Sequence, residues 1–134
     1  MKKVVTVCFV IVTLFVCGTT INAKTFKYVG KIGPYDVSVT MKETYDEYSN
    51  AMGASVTGIE GSYTYTKAGN SLKLEGECGG GMLGGTFLEE YTPKGKRSGS
   101  WDMGGYYVGD KIMKGTFTNL SNGKKFSISL KLKN

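Results

Sequence analysis

The chain has 134 residues, with 17 Lys and Arg against 11 Asp and Glu, and no His. A chain of this size builds one domain around a single core. The absence of His excludes Ser-His-Asp and Cys-His nucleophile systems, His-ligated metal sites and an imidazole pH switch.

Lys2 and Lys3 precede an apolar run from Val4 to Cys17 that is interrupted only by Thr6 and Thr13. Small and polar residues then lead to Ala23. This order is that of a secretory signal. The run of 14 residues is shorter than the roughly 20 of a spanning helix. Cleavage is expected after Ala23, giving a signal peptide at 1–23, a folded domain at 24–134 and an exported protein of the periplasm or cell envelope. Leu14-Phe15-Val16-Cys17 offers the alternative of a lipoprotein signal, with Val16 where a small residue is usual. Lipid on Cys17 would tether the domain to a membrane. Cys8 and Cys17 belong to the leader, so Cys78 is the only thiol of the processed chain and makes no intrachain disulfide. Without Lys2 and Lys3, 15 basic residues face 11 acidic ones, a net charge of +4. The basic residues are scattered on alternating strand positions and form no run, which reads as a solvated strand face and not as a nucleic-acid groove.

After the leader the chain alternates with period two. Tyr35, Val37, Val39 and Met41 alternate with Asp36, Ser38, Thr40 and Lys42, and Phe126, Ile128, Leu130 and Leu132 with Lys125, Ser127, Ser129 and Lys131. Such alternation places one set inside and the other in water. Turn signals stand at Gly33-Pro34, Ala68-Gly69-Asn70, Cys78 to Gly81, Pro93-Lys94-Gly95, Gly109-Asp110 and Ser121-Asn122-Gly123. Strands are predicted over 26–32, 35–43, 56–66, 71–77, 83–91, 97–104, 111–118 and 124–132. Short connections make successive strands antiparallel hairpins. An all-β, eight-stranded antiparallel meander covers its apolar face and its edges by closing into a barrel. A β-sandwich is the runner-up.

The motif Gly-[Ser/Thr]-aromatic occurs at Gly61-Ser62-Tyr63, Gly85-Thr86-Phe87, Gly99-Ser100-Trp101 and Gly115-Thr116-Phe117. Gly lets a strand bend and gives a neighbouring ring space. The spacing predicts ring and Gly inside, with the hydroxyl residue in water. The segments Tyr28 to Val37, Gly61 to Gly76 and Leu88 to Tyr91 resemble small exported, mostly uncharacterised β-barrel proteins of Gram-negative bacteria, some of them lipidated. The resemblance implies a barrel and no particular activity. A weaker architectural similarity, to avidins and lipocalins, transfers no ligand residues.

Glu89 stands out among the candidate site residues. If Phe87 shares the inner face with Gly85, then Glu89 and Tyr91 also point inward; the opposite parity puts Glu90 inward with Leu88. Either way a carboxylate lies on the apolar side and requires a partner such as a Tyr hydroxyl, Lys27, Lys31 or Arg97. Tyr28, Tyr35, Tyr63, Tyr65 and Tyr91 are candidates for the same face. Tyr63, Tyr65, Glu89, Tyr91 and Trp101 are therefore the expected ligand-binding set. The connection over 43–54 is acidic and aromatic, and is either a functional loop or an extended hairpin tip. Its Tyr45, Tyr48 and Met52, with Tyr106 and Tyr107 of a second tip, form the expected interaction surface. Glu89, Glu90 and Asp102 are candidates for the paired carboxylates of glycoside hydrolysis, but their spacing fixes no separation. The expectation is a non-catalytic binding module with no cofactor. Its partner is an envelope protein, a glycan or a small hydrophobic ligand. Nucleic acid is not expected, and membrane association only through lipidated Cys17. The alternative is a small-molecule carrier of lipocalin or avidin type.

Overall fold

The computed structural model describes residues 24–49, 55–80 and 84–133, with side chains omitted at 45–49. The leader, its cleavage point, Cys17 and Met52 lie outside the described residues, as do the side chains of Tyr45 and Tyr48. Eight strands follow in chain order: β1 (Thr25–Ile32), β2 (Tyr35–Ser49), β3 (Ser55–Tyr65), β4 (Ser71–Gly79), β5 (Gly85–Tyr91), β6 (Arg97–Gly104), β7 (Ile112–Asn119) and β8 (Lys125–Leu132). Each pairs antiparallel with the next, and β1 closes on β8 from Tyr28 opposite Leu132 to Ile32 opposite Ile128. The barrel has no open edge, and the sandwich is thereby set aside.

Strand bending needs room inside. At Gly30, Gly61, Gly76 and Gly115 a Cβ would lie 2.0 to 2.2 Å from a carbonyl oxygen of the neighbouring strand. Only Gly permits that approach, and these four positions distribute the curvature of closure. The interior is filled. Trp101, Tyr28, Tyr63, Met41, Met103, Met113, Leu74 and Leu88 are each less than 2% exposed. Burial of each such side chain is worth about 1.5–3 kcal/mol.

The chain differs from expectation in three places. β2 runs on to Ser49, because Glu47, Tyr48 and Ser49 keep pairing with Thr57, Val56 and Ser55 beyond a register shift between Glu43 and Glu47. The acidic, aromatic segment is thus largely one arm of an extended hairpin. β4 continues through Cys78, which pairs with Thr57 and Thr86, so Cys78 is a strand residue and not part of a turn.

The third difference is the parity of β5. Leu88 stands opposite Gly76 on one side and Trp101 on the other, and directly paired residues face the same way. Trp101 is 1% exposed, so Leu88 goes inside with Thr86 and Glu90. Phe87 is left outside, 37% exposed, together with Glu89 and Tyr91. Three of the four Gly-[Ser/Thr]-aromatic motifs have the expected orientation, and the one on β5 is inverted.

Candidate functional site

The barrel has two unlike ends. The short-turn end holds the connections β1–β2, β3–β4, β5–β6 and β7–β8. The loop end holds the other three connections and both termini of the barrel.

At the loop end the β6–β7 connection folds back over the core. The Tyr28 hydroxyl accepts a hydrogen bond from the Gly109 N–H (2.8 Å) and donates to the Asp110 carbonyl (2.8 Å). Thr86, fully buried, donates to the Tyr106 carbonyl at 2.9 Å. Cys78 Sγ accepts from the Val108 N–H and meets Thr86 Oγ1, each at 3.4 Å, and its S–H can donate to that hydroxyl oxygen. Tyr106 is half-buried and packs on the core, while Tyr107 is 37% exposed. The expected aromatic tip therefore presents one Tyr and not two. Burial outweighs the Gly109 hydrogen bond and leaves the Tyr28 phenol above its ordinary range.

At the short-turn end the buried carboxylate is Glu90, 5% exposed. Tyr63 donates to its Oε2, and Ser98 Oγ donates to its Oε1 at 2.7 Å. Both carboxyl oxygens are thus engaged. Among the described residues no Lys or Arg pairs with it. Two hydroxyl hydrogen bonds hold it. Because Tyr63 gives its proton to Glu90, the contact between the Tyr63 and Tyr65 oxygens at 3.3 Å makes Tyr65 the donor. Gly99 opposite Glu90 makes the cluster sterically possible: a Cβ there would lie 2.5 Å from the Phe117 ring and 3.3 Å from the Glu90 carboxyl carbon. Burial, and then Glu90, hold the Tyr63 phenol far above its ordinary value of 10.0. Burial raises Tyr65 as well.

The rings continue inward and outward from this cluster. Tyr63 meets Trp101 edge-on at 5.0 Å between centroids, and the buried Trp101 Nε1–H has no hydrogen-bond partner among the described residues. Tyr65 meets Tyr35 edge-on at 5.9 Å. Tyr35 is 55% exposed and, with Pro34, Asp36, Tyr65, Lys67 and Ala68, lines an open groove of about 500 Å³. A line of hydroxyls thus runs from a surface shelf, through Tyr65 and Tyr63, to a buried carboxyl group.

Of the expected ligand-binding set, Tyr63, Tyr65 and Trp101 come together here. Glu89 and Tyr91 do not, because β5 has the other parity. They lie on the outer wall of β3–β5 in a groove of about 540 Å³ that also contains Glu60, Glu75, Glu77 and Phe87. Glu89 pairs there with Arg97 at 2.5 Å, and Glu75 with Lys73 at 2.6 Å. Among the described residues no three carboxylates or thiols converge as a metal site. Glu89 and Glu90 point to opposite faces of one strand, and Asp102 lies outside, accepting from the Gly104 N–H. Tyr35 also departs from expectation: at the first position of β2 it leaves the inner face and forms the shelf.

Sequence reasoning missed Ser98, Pro34 and Lys67. Ser98 was legible only as an ordinary strand hydroxyl. Its role follows from the β5–β6 register, which sets it beside Glu90. Comparison with family models, curated proteins and solved structures returns no match.

Proposed function

We propose that the protein is an exported, non-catalytic binding module that presents the Tyr35–Tyr65 shelf to a glycan of the cell envelope. A filled interior beneath an exposed aromatic shelf carries this reading. A carrier of lipocalin type requires an internal chamber, whereas the space here is taken by Trp101, Tyr28, Tyr63 and three methionines. The shelf offers two ring faces with little side-chain entropy to lose, flanked by Asp36 and Lys67 as hydrogen-bonding charges. Sugar rings, with apolar C–H faces and equatorial hydroxyls, match that combination. The opposite orientations of Glu89 and Glu90 on one strand favour binding over hydrolysis by that pair.

Export, the envelope compartment and kinship with small barrels of Gram-negative bacteria belong to the same proposal and rest on the leader pattern and the quoted motifs. Calorimetric titration with soluble oligosaccharides released from the envelope tests it. Binding by the wild type and at least about tenfold weaker binding by Tyr35→Ala are expected. Equal affinity in Tyr35→Ala would remove the shelf from the account. Turnover of the oligosaccharide that is lost in Glu90→Gln would replace binding with catalysis.

A further inference from the structure

Closure of the barrel joins β7, β8 and β1 into one outer wall. Their lysines come from the two ends of the domain and look scattered along the chain. The register gathers them. Val29 and Ile112 both stand opposite Lys131, while Lys31 and Lys114 both stand opposite Ser129. Lys27 lies at the next rung, its carbonyl accepting from the Lys133 N–H. Every one of these lysines is exposed. Val29 and Ile112 are 38% and 52% exposed, and they flank a shallow groove of about 340 Å³ rimmed by Lys31, Lys114 and Lys131.

No carboxylate answers this charge on the wall itself. From Lys111 to Asn134 the chain has six lysines and no acidic residue, and from Lys24 to Tyr35 three lysines and none. At the wall's margin Asp36 lies 3.7 Å from Lys31 in an exposed contact. On the far side of the barrel, four strands away, stand Glu60, Glu75, Glu77 and Glu89. There Lys73 pairs with Glu75 and Arg97 with Glu89, so charges of both signs mix on that wall, whereas the β7–β8–β1 wall carries lysines alone.

We propose that the β7–β8–β1 wall docks on an anionic phospholipid bilayer, with the lysines against the headgroups and Val29 and Ile112 in the acyl boundary. Lysines on flexible stems suit a diffuse negative plane, and exposed branched residues between them gain by leaving water. A nucleic acid would use the charge but not the aliphatic pair, and no aromatic or Arg side chain lies on the outer face of these three strands. The proposal is independent of the glycan reading, because the Tyr35 shelf lies at the barrel end.

The test is vesicle sedimentation of the protein as recovered from the envelope fraction. Vesicles of phosphatidylcholine with one-third phosphatidylglycerol are compared with phosphatidylcholine alone. Preferential binding to the anionic vesicles that falls with added salt is expected. Each lysine among Lys31, Lys114 and Lys131 changed to Gln should weaken binding about fivefold. Val29→Ser with Ile112→Ser should weaken it while leaving the salt dependence intact. All five side chains are exposed, and a native β-type circular dichroism spectrum is the control for folding. Equal binding to both kinds of vesicle would put the anchor elsewhere, in the leader or an acyl chain, and would overturn the proposal. So would unchanged binding in the lysine variants, or an unaffected Val29/Ile112 variant that heparin displaces, which marks a site for soluble polyanions.

Discussion

At the loop end a buried Tyr hydroxyl is held by backbone: Tyr28 sits between the Gly109 N–H and the Asp110 carbonyl. At the short-turn end a buried Tyr hydroxyl is held by side chains: Tyr63 donates to Glu90, which also takes a hydrogen bond from Ser98, and Tyr65 stands behind it. The first arrangement places no charge inside and serves to fasten a loop over the core. The second keeps a carboxylate inside with neutral donors alone and connects it to an exposed groove. A core needs only the first kind of contact. The cost of the second is the physical reason to place function at that end.

The largest effect should come from breaking the costly end. Tyr63→Phe leaves Glu90 with Ser98 as its only side-chain donor, and stability should fall by about 1.5–3 kcal/mol, read from urea denaturation at neutral pH. Tyr28→Phe should cost less, about 1 kcal/mol. It removes neutral hydrogen bonds whose backbone partners lie in a half-exposed loop that water can reach. A Tyr28→Phe loss that exceeds the Tyr63→Phe loss would reverse the comparison.

Alkaline pH should separate the ends further. The phenols of Tyr63, Tyr65 and Tyr28 are raised above their ordinary 10.0, so the folded chain holds these protons more tightly than the unfolded chain. Their stabilisation is complete below pH 10 and is lost as pH rises beyond it. For Tyr63 the slope is at most about 1.4 kcal/mol per pH unit. Denaturation midpoints above pH 10 should fall less steeply in Tyr63→Phe than in the wild type, and tyrosinate absorbance of the buried phenols should appear together with unfolding.

The smallest effect belongs to the residue next door. Glu89→Gln breaks the outer contact with Arg97 and should leave the midpoint unchanged, because that pair is exposed to solvent. A loss approaching that of Tyr63→Phe would mean that Glu89, and not Glu90, bears the load.

Glu89 and Glu90 also mark where sequence reading stops. Period-two alternation located all eight strands, and short connections made them a meander, because a half-buried strand must alternate and a closed meander leaves no edge. On β5, however, Phe87-Leu88 and Glu89-Glu90 are two like pairs in succession, so alternation fits either parity. Only the cross-strand neighbours Trp101 and Gly76 choose, and those pairings are long-range. The lysine wall was hidden for the same reason. β1 adjoins β8 only after closure, so a face built from Val29, Lys31, Ile112, Lys114 and Lys131 has no signature in any single segment. The extended β2–β3 hairpin was legible as one of two alternatives, since Tyr and Thr suit a strand while the acidic residues between them suit a loop.

The most direct test of a filled barrel with its ligand face at the short-turn end is backbone NMR of the protein titrated with envelope oligosaccharides. Shift changes should centre on residues 34–36 and 65–68 and extend inward to Tyr63 and Glu90, with Tyr28 and residues 106–110 unmoved. Changes centred on Trp101, Met103 and Met113, with no response at Tyr35, would mean that the ligand enters the barrel, and would contradict the account.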